Sequence, residues 1–122
     1  MILYLDTSSL VKLYVTEDGS DEVRELVEEA DVVATSVVAF PETRSALARL
    51  AREKALDETE LDSAREAFVR DWGAFLKIRA LKRVYTHAGE LTETHGLRGF
   101  DALHVASYLE VVAQSDGEEA AL

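Results

Sequence analysis

Three carboxylates stand where apolar sequence gives way to polar sequence or opens a helix. Asp6 follows the run Ile2 to Leu5, Glu42 ends Ser36-Val37-Val38-Ala39-Phe40-Pro41-Glu42, and Asp101 lies in Gly99-Phe100-Asp101-Ala102-Leu103-His104-Val105-Ala106. A carboxylate beside apolar sequence is costly to bury, so acids that converge need a shared compensating charge. A divalent cation is the simplest candidate. Oxygen-only ligation selects hard ions, which places Mg²⁺ or Mn²⁺ ahead of zinc. Such an ion would polarise a phosphate, lower the pKa of bound water and stabilise the leaving oxygen of an in-line displacement.

Each acid also has a plainer use. Asp6 can cap the helix that follows by accepting a backbone N–H from Ser8 or Ser9. Glu42 and Asp101 fall near helix starts, where a negative side chain complements the macrodipole. His104, three residues after Asp101 on the same helical face, can serve as ligand or proton shuttle, or pack in the core with a backbone hydrogen bond. His87 and His95 show no ligand spacing and read as surface residues. Thr7, Ser8 and Ser9 crowd Asp6, yet no histidine stands in recognisable relation to a serine and the Gly-x-Ser-x-Gly elbow is absent, which disfavours a serine hydrolase. An aspartyl-nucleophile phosphatase would carry a second Asp where Ser8 stands, and there is no Gly-rich phosphate loop.

To position these groups the chain has 122 residues, enough for one compact domain over 1–122. With 24 acidic against 13 basic residues, the net charge of −11 argues against indiscriminate polyanion binding, so any nucleic-acid contact must be local or metal-bridged. The lack of cysteine excludes disulfides and thiolate chemistry and suits a reducing, cytoplasmic setting. No apolar window approaches the roughly 20 residues of a membrane helix. Acids dominate from Glu17 to Asp31, whereas Trp72 to Gly89 carries Lys77, Arg79, Lys82 and Arg83 and no acid. These stretches read as solvated helix faces, or as a basic guide for phosphates joined by Arg44, Arg49 and Arg52.

Met1 to Leu5 reads as a buried parallel strand and Ser8 to Tyr14 as a short helix. Gly19 to Ala30 is an amphipathic helix and Asp31 to Thr35 a second strand. Ser36 caps a helix to about Glu53, with Pro41 expected to perturb its first turns. Asp57 to Phe75 is a further helix with Glu60 in the capping-box position. Leu81 to Tyr85 reads as a third strand, Thr86 to His95 as a helix, and Gly99 to Ala113 as a mostly apolar helix. Strands alternating with helices predict right-handed β-α-β units around a parallel sheet, with functional groups at the carboxyl ends of the strands.

The segments Tyr4-Leu5-Asp6-Thr7-Ser8-Ser9-Leu10-Val11-Lys12-Leu13-Tyr14, Phe40-Pro41-Glu42-Thr43-Arg44-Ser45-Ala46-Leu47 and Leu97-Arg98-Gly99-Phe100-Asp101-Ala102-Leu103-His104-Val105-Ala106 resemble the main motifs of PIN-domain proteins of the VapC toxin type. The resemblance spans nearly the whole chain. It implies a three-layer α/β/α sandwich whose acids hold Mg²⁺ or Mn²⁺ and cleave RNA. It further implies a toxin that is neutralised by a small antitoxin protein and forms a homodimer. By this resemblance Asp6, Glu42 and Asp101 are the metal-binding and catalytic acids. Ser8, Lys12, Arg44 and Arg98, inside the same motifs, are candidate substrate contacts.

The family also carries an acid on a strand after the last motif helix. Asp116, Glu118 and Glu119 are poor substitutes, because a helix from Gly99 to Ala113 carries the backbone about 20 Å from Asp101. A returning strand that starts near Ala120 needs roughly six residues to bring an acid back, so the last strand is expected to be missing or truncated and the sheet edge unpaired. The missing acid makes a catalytically weak or inactive PIN-like interaction module the alternative. A DNA-directed nuclease is the third reading, since the metal chemistry does not inspect the sugar.

Overall fold

The structure is a computed structural model that describes residues 1–115 and the backbone of 120–121. Asp116, Glu118 and Glu119 lie outside the described residues. Four parallel strands form one sheet in the order β3-β2-β1-β4, built from β1 (Ile2–Tyr4), β2 (Val32–Ser36), β3 (Leu76–Ile78) and β4 (Ala120–Ala121). Helices α1 (Thr7–Tyr14) and α2 (Ser20–Glu29) link β1 to β2, α3 (Ala39–Arg52) and α4 (Glu58–Trp72) link β2 to β3, and α5 (Lys82–His95) and α6 (Gly99–Gln114) precede β4.

The three layers follow from the two-residue period of β1. Ile2 and Tyr4 face one way, into a core with Ala34, Ile78, Val84, Ala88, Ala102 and Ala106, so α5 and α6 cover that face. Leu3 and Leu5 face the other way, against Leu10, Val23 and Ala39, with Trp72 and Phe75 at the margin. Leu47, Leu56 and Ala64 form a smaller core in the α3–α4 hairpin. All three residues of β1 are buried, as a strand covered on both faces must be.

The expected strand at Leu81 to Tyr85 is a correction. Those residues begin α5, and the third strand is Leu76–Ile78. Val84 and Ala88 recur at helical spacing and pack against α6, which outweighs the β propensity of the Val-Tyr pair. The long helix from Asp57 likewise stops at Trp72, before β3. Pro41 does not perturb α3. It occupies the third helical position, where its missing N–H has no intrahelical acceptor to lose. Val38 is the cap residue there, and Ser36 Oγ accepts the Val38 N–H at 3.3 Å. Gly96 closes α5 with φ of 65°, a left-handed turn that delivers the chain into α6.

The last strand is present as β4, whose Ala120 and Ala121 pair with Ile2 and Leu3, so part of the β1 edge is covered. β1 passes to β2 on one side, while the chain crosses back from β3 to β4 on the other. The order therefore switches at the carboxyl end of β1, the place where ligands bind in open α/β sheets. Among the described residues no helix is long and apolar enough to cross a membrane.

Candidate active site

Asp6 leaves the carboxyl end of β1 as the cap of α1. Its Oδ1 accepts the Ser9 N–H and the Ser8 hydroxyl, both at 3.0 Å, and no described residue bonds Oδ2. Capping and site-lining are thus compatible uses of one side chain. Glu42 stands in the first turn of α3, where its Oε1 accepts the Thr7 hydroxyl at 2.6 Å and lies 3.0 Å from Nε2 of His104. Asp101 occupies the first turn of α6 with its side chain exposed.

Asp6, Glu42 and Asp101 line one cavity of about 510 Å³ together with Thr7, Ser8 and His104, while Arg49 and Arg98 supply positive charge and Val11 and Leu50 apolar wall. Glu17 adds a fourth acid, so acids outnumber arginines by four to two in this lining. A phosphate brought here meets net repulsion until a cation offsets it.

Of the candidate substrate contacts, Ser8 and Arg98 line the cavity. Lys12 does not: its ammonium pairs with Glu17 at 3.1 Å and its stem packs beside Gly19. Arg44 stacks over the Phe40 ring at 5.8 Å and lines a separate small cavity with Leu61 and Arg65. Arg44 follows Glu42 by two positions, which turns it to the far side of α3. Arg49, seven positions after Glu42, shares its face, as does Ala46 at four. That helical spacing is the signal that distinguishes Arg49 from Arg44.

His104 is buried, and its partners are side chains rather than backbone. Nδ1 lies 2.8 Å from the Tyr4 hydroxyl, and Nε2 faces Glu42 Oε1 at 3.0 Å and Thr7 Oγ1 at 3.2 Å. Burial raises the pKa of the Tyr4 phenol well above its ordinary value, and the charges of Asp6 and Glu42 push it the same way. Thr7 and Tyr4 therefore join the site although the bare sequence singles out neither. An apolar groove of about 730 Å³ between α5 and α6 adjoins the cavity, shares Arg98 and Asp101 with it, and leaves Tyr85 and Phe100 more than half exposed.

The donor chemistry suits a hard cation, for the acids offer only oxygens. Among the described residues no three of His, Asp and Glu are already grouped closely enough to share one ion. Glu42 Oε1 is already committed to Thr7 and His104. Such a wall fits Mg²⁺, which is typically held by one or two carboxylates and completes its shell with water and substrate phosphate.

The sequence profile described as the PIN domain matches residues 3–111. The chain belongs to the PIN-domain family. Within that family it is similar to Ribonuclease VapC45 of Mycobacterium tuberculosis (strain CDC 1551 / Oshkosh), with 41% identity over 110 residues that cover 90% of this chain and 76% of that protein. The PIN fold recurs in the crystal structure of Mycobacterium tuberculosis VapC20, a Sarcin-Ricin loop cleaving toxin, with a TM-score of 0.67, 21% identity and coverage of 99% of this chain and 87% of that one. It recurs again in VapBC2 from Rickettsia felis bound to a DNA fragment from their promoter, at TM-score 0.59 and 19% identity, covering 94% of this chain and 83% of that one.

Proposed function

We propose that this PIN-domain protein is a Mg²⁺- or Mn²⁺-dependent endoribonuclease and the toxin of a toxin–antitoxin pair. The observation that carries the reading is the single cavity lined by Asp6, Glu42 and Asp101, residues that are 36 and 59 positions apart in the chain. The similarity to Ribonuclease VapC45 supports RNA as the substrate. The likeness to VapBC2 supports a small antitoxin partner, and the homodimer is proposed with it.

A bound Mg²⁺ or Mn²⁺ supplies Lewis-acid polarisation of the phosphate and a more acidic water. Asp6, Glu42 and Asp101 are the acids that would hold it. Arg49 and Arg98, in the same lining, attract phosphates of the RNA backbone. Water attacks phosphorus, the phosphorus–oxygen ester bond breaks, and the products are an alcohol and a phosphate monoester. A carboxylate of this lining would accept the proton of the attacking water, and the leaving oxygen takes up a proton from solvent to become the alcohol.

The test is cleavage of single-stranded RNA with Mg²⁺ or Mn²⁺ by wild type and Asp6→Asn. Asn caps a helix as well as Asp does, so the variant keeps its fold while losing the charge. A fall of about 100-fold or more is expected. The alternative, a catalytically weak or inactive interaction module, is favoured by the lack of a ready three-donor group among the described residues. Equal, near-zero cleavage by both proteins would establish it.

A further inference from the structure

Glu42 is gripped from behind by side chains that reach the middle of the sheet. Thr7 has one hydroxyl hydrogen and gives it to Glu42 Oε1 at 2.6 Å. Nε2 of His104 faces that same Oε1 at 3.0 Å and Thr7 Oγ1 at 3.2 Å, two oxygens with no hydrogen left to offer it. The hydrogen in these contacts must therefore sit on Nε2. On the other side of the ring, Nδ1 meets the Tyr4 hydroxyl at 2.8 Å, where Tyr4 is 0% and His104 5% exposed. The two rings meet edge to face at 72°, so neither can turn without disturbing the other.

We propose that Tyr4 donates its phenolic hydrogen to Nδ1 of His104, which fixes the Nε2–H tautomer and makes His104 the positioning residue that holds Oε1 of Glu42 and leaves Oε2 for the cavity. The arrangement is the carboxylate counterpart of the outer hydrogen bonds that orient groups at metal sites. Its catalytic consequence rests on the ribonuclease reading, whereas the tautomer does not.

The experiment begins with metal-free protein carrying ¹⁵N-labelled histidine. Long-range proton–nitrogen spectra should show His104 with Nδ1 unprotonated and Nε2 protonated, the resonance being assigned by its disappearance in His104→Gln. Tyr4→Phe leaves Nδ1 without its donor and the ring without its anchor, so it should weaken Mg²⁺ binding in calorimetry about tenfold and lower kcat on RNA about tenfold with KM unchanged. His104→Gln keeps an N–H at the Nε2 position and should retain most of the affinity and rate, whereas His104→Leu should not. A core defect alone would not spare Gln while penalising Leu. An Nδ1–H or doubly protonated His104 overturns the proposal, as does a folded Tyr4→Phe that equals wild type in Mg²⁺ affinity and kcat. Should wild type neither cleave RNA nor bind Mg²⁺, the ribonuclease reading falls and the spectrum alone decides the tautomer.

Discussion

Thr7 and Glu42, 35 positions apart, are joined by a 2.6 Å hydrogen bond that ties the first residue of α1 to the first turn of α3. The bond connects the helices that follow β1 and β2, so it sets the width of the cavity between them. Thr7→Val keeps the shape and removes the hydroxyl. It should destabilise the fold by about 1 kcal/mol, read as a lower urea midpoint with unchanged slope. Thr7→Ser should restore the midpoint.

Phe68 is fully buried and touches three other rings: Tyr14 edge-on at 5.5 Å, Phe40 stacked at 5.5 Å and Trp72 at 5.6 Å. This cluster binds α4 to α1 and α3. Phe68→Ala should cost about 3–5 kcal/mol, a large share of the roughly 5–15 kcal/mol of an ordinary domain. Equilibrium denaturation measures it, and a loss below about 1 kcal/mol would contradict the packing.

Alkaline pH should unfold the protein through its buried phenols. Burial raises the pKa of both Tyr4 and Tyr14 above the ordinary 10.0, with the charge of Asp71 adding to the effect at Tyr14. The folded state therefore holds these protons more tightly than the unfolded chain does. That contribution is complete below about pH 10 and is lost as pH rises toward the folded values. Tyrosinate absorbance should rise together with loss of helical circular dichroism, and Tyr14→Phe should move the transition to higher pH. Ionisation of Tyr4 or Tyr14 in the ordinary tyrosine range without unfolding, identified by the absorbance missing from the corresponding Tyr→Phe variant, would refute this.

Arg49 lies on the cavity face of α3, whereas Arg44 stacks on Phe40 away from it. Under the ribonuclease reading, Arg49→Ala should raise KM for RNA and reduce the salt slope of binding by about 1, with kcat little changed. Arg44→Ala should leave both near wild type. The opposite ranking would relocate the phosphate path.

The sheet and its layers were legible because β1 is an uninterrupted apolar run and the helices of the first two crossovers carry clear 3.6-residue stripes. The third strand was not, because Leu76-Lys77-Ile78 is too short for periodicity to show and Val84-Tyr85 mimics strand composition inside a helix. The candidate acids that share the cavity were legible because carboxylates at the ends of apolar segments stand out by cost. His104 was only half legible: its place on the face of Asp101 is a spacing, but its partners Tyr4 and Thr7 lie 100 and 97 positions away, a separation that no local pattern encodes.

The same separations bear on how the protein is made. The contacts that complete the cavity wall join residues near the amino end to α6, so during synthesis Asp6 and Glu42 leave the ribosome long before Asp101 and His104 can dock beside them. At about 5–20 residues per second, several seconds pass in which the emerging chain holds two of its acids but no finished pocket. The cavity wall is unfinished until α6 has left the ribosome and can pack against the sheet.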